Sequence, residues 1–359
     1  MITLLIFLAV LSLLIVVHEF GHFLAARLTG VRVEKFSLGF GTNLLKKKKG
    51  HTEYSISAIP LGGYVKLAGD NLEEYKGKPY EYLSKPISKR FYIIFCGPLL
   101  NYVLGFLFFW LIFFVGYPSF TTKVGGLLDG YGAKKAGLQI GDKITAIDGQ
   151  KVAFWEELQK VIQEKNESNN VNLTILRDSK EFNVSVAIRE TKLDDQLGSK
   201  RKVGLLGITP FDEIVKVRHG FFESFVLSLE KTWFLTEMTY KGLWRMVTGK
   251  LSVRDSVTGP LGIFDITSKA AKVGLIAILQ LVAVLSISLG IFNLLPLPVL
   301  DGGHIFLLGI EKIRGKYLGV KAERVLSQTG FVLIISLALF VTYNDIMRMF
   351  GEKIVKFFK

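Results

Sequence analysis

The sequence predicts a polytopic α-helical membrane protein with four transmembrane helices, a membrane-associated β-sheet segment and one small α+β domain between the second and third spans. Three observations carry this reading. Four stretches reach the roughly 20 apolar residues that a helix needs to cross a hydrocarbon core. A glycine-punctuated, alternating stretch covers 31–68, and strands and a helix alternate between Val124 and Ile188. Half of the 359 residues are hydrophobic, yet the position of the charges says more than their number, because they are missing in long blocks. The aromatic and aliphatic content excludes a disordered chain, and a single cysteine, Cys96, excludes an intramolecular disulfide framework. Cys96 is assigned to span packing.

Met1–Val17 is free of charge and continues through His18, Glu19 and His22 to Ala26. Positive residues follow this stretch rather than precede it, so it reads as an uncleaved span and not a signal peptide. Phe91–Thr122, Val273–Leu300 and Val325–Asn344 contain no Lys, Arg, Asp or Glu. The loop from Arg27 to Arg90 holds thirteen Lys/Arg against six Asp/Glu, which places it in the cytoplasm by the positive-inside rule. The N-terminus and residues 123–272 then lie outside. The third span returns the chain to a short basic loop, and the fourth ends in a basic tail on the outer side, against the rule. The formal charge of +14 follows from loops beside apolar spans, so the expected partner is the lipid bilayer, with no nucleic acid. Phe221–Thr248 carries Glu223, Glu230, Glu237, Lys241 and Arg245 along one helical face and reads as an amphipathic helix rather than a fifth span.

Between the second and third spans, Ala136-Gly137-Leu138-Gln139-Ile140-Gly141-Asp142, a turn at Asp148-Gly149, a helix near Trp155–Glu164 and strands at Val171–Arg177 and Phe182–Ile188 resemble a bacterial PDZ domain. The resemblance implies a groove that takes peptides by strand addition. One copy is present.

His18-Glu19-Phe20-Gly21-His22 is the HExxH pattern. On a helix, residues i and i+4 lie on one face, so both imidazoles can reach one Zn²⁺ while Glu19 stands near a water bound to it. Two histidines and a glutamate inside an apolar span are costly, which makes them a functional hypothesis by default. A catalytic zinc site needs a third protein ligand, and Asp301 is the candidate, after the two prolines of Asn293-Leu294-Leu295-Pro296-Leu297-Pro298-Val299-Leu300-Asp301. His304 is a second, lower-ranked candidate. By charge counting, His22 and Asp301 both fall near the cytoplasmic ends of their spans. The strand-like segment 54–67 is the expected place for a substrate strand to add.

With HExxH in the first span, Asn293–Gly303 in the third and a PDZ-like domain between, the chain resembles the site-2 protease family of intramembrane zinc metalloproteases, and its bacterial RseP branch most. Gly97-Pro98-Leu99-Leu100-Asn101, Ser256–Ile263 and Asn344-Asp345 match as well. The resemblance implies that His18, His22 and Asp301 bind zinc, that Glu19 is the general base, and that Asn293, Pro296 and Pro298 help hold the substrate. It implies a multi-pass protease of the bacterial inner membrane, with N-terminus, PDZ domain and C-terminus extracytoplasmic. Its substrates would be single-span membrane proteins, anti-sigma factors or signal-peptide remnants, cleaved after prior trimming outside. The competing reading is a non-catalytic PDZ scaffold with a structural metal; Glu19 argues against it. The expected organisation is a first span at 1–28, a cytoplasmic-side loop with the sheet at 29–90, a second span at 91–117 and the PDZ domain at 118–192. A linker with the amphipathic helix (193–272), a third span (273–303), a cytoplasmic loop (304–324), a fourth span (325–347) and the basic tail (348–359) complete it.

Overall fold

The computed structural model describes residues 2–165, 170–194, 200–316 and 319–357. Met1 of the expected first span, 166–169 of the domain, 195–199 of the linker, 317–318 of the loop and 358–359 of the tail lie outside the described residues. In chain order the elements are α1 (Ile2–Leu28), β1 (Val33–Lys49), β2 (Thr52–Leu67), α2 (Ile87–Val115), β3 (Tyr117–Phe120), β4 (Val124–Leu127), α3 (Gly132–Lys135), β5 (Lys143–Ile147) and β6 (Gln150–Lys151). Then come α4 (Trp155–Gln163), β7 (Asn170–Arg177), β8 (Lys180–Ala187), β9 (Arg189–Asp194), β10 (Lys200–Leu205), β11 (Ile208–Pro210) and β12 (Ile214–Val217). The chain ends with α5 (Phe221–Val247), α6 (Val253–Ser256), α7 (Pro260–Val273), α8 (Leu275–Asn293), α9 (Asp301–Arg314) and α10 (Val320–Phe357). These elements group into two units. One comprises 1–110, 225–240 and 252–359, the other 111–224 and 241–251.

Among the described residues, the regular structure of the first unit is helical apart from β1 and β2. Among the described residues, four helices are long and apolar enough to cross a membrane: Ile2–Leu28, Ile87–Val115, Leu275–Asn293 and Arg324–Phe350. Their limits differ from the sequence expectation where polar groups find partners. The second helix begins at Ile87 instead of 91 because Arg90, 3% exposed, is neutralised by Glu311 of α9, with Nη1 donating to Oε2 at 2.9 Å and Nη2 to Oε1. The third stops at Asn293 rather than 303. Pro296 and Pro298 have no N–H to continue it, and tight turns such as Leu297 N to Leu295 O (2.7 Å) and Leu300 N to Leu297 O (2.9 Å) lead into α9. Asp301 is therefore the first residue of a new helix. The fourth helix starts at Val320 and runs to Phe357, beyond the expected 325–347. Its Asp345, 1% exposed, accepts the N–H groups of Gly259 (3.3 Å) and Gly262 (2.8 Å), so one helix supplies the N-terminal cap of α7. Residues 225–240 of α5 lie against α2, through Phe225 on Phe106 and Trp110 and through Tyr102 Oη with Thr236 Oγ1 (3.3 Å).

β1 and β2 fold back on themselves into a four-segment sheet. Residues 33–38 pair antiparallel with 63–67 and run alongside 53–56 in the same direction, while 43–49 pair antiparallel with 52–57. The order is thus 43–49, 52–59, 33–38, 63–67. Segment 54–59 is enclosed on both sides, which narrows the expected place for an added strand from 54–67 to 63–67, the strand that among the described residues pairs on one side only. Phe36, Tyr54 and Val65 pack against Phe23 of α1, so this sheet is seated on the end of the first helix.

The second unit is α+β. Its four-stranded sheet has the order β6-β5-β7-β8, with α4 contributing Trp155, Leu158 and Ile162 to a core of Val124, Ile144, Ile147, Val171, Leu173, Ile175 and Val186. Strand pairing continues past residue 192, where the sequence reading ended the domain. β11 pairs with β4 and β12 with β3, and Tyr117 lies opposite Val217, so both ends of the unit meet. The turn at 139–142 is held by Asp142, 1% exposed, which accepts from Arg177 Nε (2.6 Å) and Nη2 (2.7 Å) and from Gln139 N (2.8 Å). Burial by itself would raise the Asp142 carboxyl, but these donors outweigh it and hold the group below the usual carboxylate range.

Candidate active site

His18 and His22 sit one turn apart on α1, and their ring nitrogens converge: Nε2 to Nε2 is 3.2 Å. Asp301, at the start of α9, meets both. Its Oδ2 is 3.1 Å from His18 Nε2 and its Oδ1 is 3.5 Å from His22 Nε2. Among the described residues this is a group of His, Cys, Asp and Glu side chains able to hold a metal, with all three ligand atoms within 4.8 Å of one another. Atoms about 2.1 Å from a shared tetrahedral centre stand roughly 3.4 Å apart, and the three observed separations bracket that value. Asp301 Oδ2 is buried without a hydrogen-bond partner, and two imidazole nitrogens face each other across the same gap. A cation satisfies all three groups at once, so the donor set fits Zn²⁺.

The helices make room for this cluster by close backbone approach. A Cβ on Gly97 of α2 would lie 2.4 Å from His22 Cε1 and Nε2, and 3.0 Å from His18 Cε1. A Cβ on Gly21 would lie 2.2 Å from the Cys96 carbonyl oxygen. At Gly21 the obstacle is backbone, so only hydrogen fits; at Gly97 a methyl group would push the imidazoles themselves aside. The carbonyl of Ile93 is 2.9 Å from His22 Nδ1, so the ring donates there and leaves Nε2 bare toward the cluster.

The cluster opens into a cavity of about 500 Å³ lined by His18, Glu19, His22, Tyr64, Val65, Asn293 and Asp301, among others. Glu19 carries its carboxylate to the main chain of Val65, and a Cβ on Gly63 would lie 3.4 Å from its Cγ. The free edge of 63–67 therefore runs past the glutamate. Asn293 Nδ2 is 3.4 Å from His18 Nδ1 and 3.5 Å from Nε2. Pro298 lines a separate groove with Phe331 and Val332, and exposed Pro296 lies outside the histidine cavity; Val299 and Leu300 occupy its wall in their place. His304 is exposed at the margin. Sequence reasoning passed over Tyr64, Asp70, Asn71 and Tyr82, which share the cavity wall. They come from strand and loop residues without a motif, and nothing in their spacing marks them. Asn101, at the end of the Gly97–Asn101 stretch, has its Nδ2 3.2 Å from His18 Nδ1.

The model of peptidase family M50 matches residues 6–337. A candidate zinc metalloprotease of Agrobacterium fabrum is 34% identical over 363 residues, which is 96% of each chain. One from Campylobacter jejuni is 34% identical over 348 residues, 96% of this chain and 93% of its own. Zinc metalloprotease RasP of Oceanobacillus iheyensis is 29% identical over 430 residues, 98% of this chain and all of its own. Among solved structures, the PDZ domain of an SdrC-like protein from Listeria innocua aligns at 23% identity with a TM-score of 0.21, covering 26% of this chain and 96% of the domain.

The glycine notch at residue 97 gives a direct test of the packing. Gly97→Ala should displace the His22 ring, so that membrane-extracted protein of normal yield loses bound zinc and peptidase activity falls about 100-fold or more. Full zinc content in that variant would show that the ring has room to spare.

Proposed function

The chain belongs to peptidase family M50 and is a metalloprotease of the site-2 protease type; from this membership and the cavity we propose that it is an intramembrane zinc endopeptidase that cuts single-span membrane proteins. The observation that carries the proposal is the meeting of His18, His22 and Asp301 within 4.8 Å, beside Glu19, at the wall of one cavity whose histidines lie in an apolar helix. Anti-sigma factors or signal-peptide remnants are the proposed substrates, cut after trimming on the outer side. The enzyme would lie in a bacterial inner membrane with the site toward the cytoplasm, a topology supported by the basic loop 27–90.

His18 and His22 through Nε2 and Asp301 through its carboxylate would hold the ion. Bound zinc supplies positive charge that acidifies a water molecule and polarises the scissile carbonyl. Glu19 takes the proton of the attacking water as its oxygen bonds to the carbonyl carbon. It then delivers that proton to the amine nitrogen as the C–N bond breaks. Asn293 lines the cavity beside His18, where its amide is the group to donate to a substrate carbonyl. A helical substrate hides its carbonyls in internal hydrogen bonds, so it must unwind to react; the unpaired edge of 63–67 offers replacement partners beside Glu19. The outer α+β domain acts as a gate that turns away intact ectodomains.

Glu19→Gln should keep zinc at the wild-type stoichiometry while cleavage of a model single-span protein drops by about 10²- to 10⁴-fold; equal cleavage by both proteins would remove Glu19 from the mechanism. In a Cys96→Ala background, Val65→Cys should crosslink to a cysteine near the scissile bond, whereas Ile56→Cys on the enclosed strand should not. Crosslinks confined to position 56 would refute strand addition at this edge. Because Tyr117 and Val217 are paired, replacing 118–216 by a short linker leaves the chain ends adjacent. That protein should cleave untrimmed substrate, and continued strict dependence on trimming would count against a gate.

A further inference from the structure

We propose that Asn101 is a positioning residue for zinc: it accepts the Nδ1–H of His18 and so fixes which ring nitrogen faces the ion. The inference rests on the reading of His18 as a ligand. Asn101 lies within α2 with no exposed surface. A carboxamide there is costly unless its polar atoms find partners. Its main-chain carbonyl accepts from Ser286 Oγ of α8 at 2.8 Å, its Nδ2 position is 3.2 Å from His18 Nδ1, and its Oδ1 is buried with no partner.

The histidine makes a complementary demand. With Nε2 directed at His22 Nε2 and Asp301, the proton of a neutral, metal-binding imidazole must reside on Nδ1, and that N–H requires an acceptor. His22 already has one, the Ile93 carbonyl. For His18 the closest side-chain hydrogen-bonding group at Nδ1, among the described residues, is the Asn101 amide. Asn293 is nearly equidistant from both ring nitrogens, so it sits against the ring edge between them rather than along the Nδ1–H direction. The two ends of a carboxamide have nearly the same shape, so turning Oδ1 toward the imidazole changes no packing; the NH₂ group takes the former place of the oxygen, and the donor-to-donor meeting of Nδ2 with the Nδ1–H is removed. Both histidines then have an acceptor from α2, one main-chain and one side-chain. Such partners hold ring orientation and raise ligand basicity, and losing one typically costs 10- to 100-fold in metal affinity.

The test uses full-length detergent-purified protein stripped of metal, with zinc affinity read by competition against a chelating dye and the ligand field read from the Co²⁺-substituted spectrum. Asn101→Leu fills the same space without an acceptor and should raise the zinc dissociation constant about 10- to 100-fold and shift the cobalt bands. Asn101→Asp keeps an acceptor and should bind zinc at least as tightly as wild type, with unshifted bands. Asn101→Ala supplies the same comparison where the leucine variant fails to accumulate. Wild-type affinity in the leucine and alanine variants would overturn the proposal, as would an aspartate variant that loses zinc as they do, since that pattern reports helix packing alone. His18→Ala separates the two readings: zinc binding that survives it defeats the ligand assignment itself, whereas zinc lost there but kept in Asn101→Leu defeats only the role of Asn101.

Discussion

The contact on which the site depends is the one between the backbones of α1 and α2 at Gly21 and Gly97. Imidazoles and carboxylates are costly inside an apolar bundle, and they persist only when they satisfy one another or a bound ion. Here the cost is offset within one turn of helix. His22 turns its outer nitrogen to the Ile93 carbonyl, His18 turns its own to Asn101, and both inner nitrogens meet Asp301. None of this is possible unless the helices approach closely enough that a methyl group at either glycine would overlap atoms of its neighbour.

The break in the third apolar stretch serves the same end. Eight residues of unbroken helix would carry Asp301 about 12 Å along the axis from Asn293. Instead the turns after Asn293 let both residues reach His18, at 3.1 Å for Asp301 and 3.4 Å for Asn293. The helix that begins at Asp301 is tied near its other end by the buried Glu311–Arg90 pair, so the carboxylate is presented by an element held at both ends. Removing one partner of such a pair leaves an uncompensated buried charge, which is the costly event, rather than loss of the attraction itself.

The sheet on α1 completes the cavity from the other side. Its inner strand, 63–67, has one edge paired with 33–38 and the other directed at Glu19, so backbone hydrogen-bonding groups and the Glu19 carboxylate face the same space. A strand edge without a partner strand keeps its backbone groups satisfied only where protein or water faces it, and here a cavity does. The α+β unit is built on a separate core, and the pairing of its first and last strands makes it a self-contained insertion between the apolar helices.

The sequence alone was sufficient for what depends on local periodicity. Charge-free blocks marked four apolar helices, HExxH put two imidazoles on one helical face, and the proline pair marked the break before Asp301, because these features are set by residues within a turn or two. The alternating pattern announced a sheet and a receptive segment at 54–67, but it could not separate the enclosed strand 54–59 from the open edge at 63–67. Alternation records which face is buried and carries no information on which neighbour lies alongside. Nothing near Asn101 in the chain accounts for an asparagine in an apolar span, and Arg90 reads as a loop charge. Their partners, His18 and Glu311, are 83 and 221 residues away, at separations no pattern encodes. Residue chemistry and short-range spacing identified the groups able to bind a metal; only helix packing decided which of them share one cavity, since distances of about 3 Å are set by side-chain volume and backbone approach, not by order along the chain.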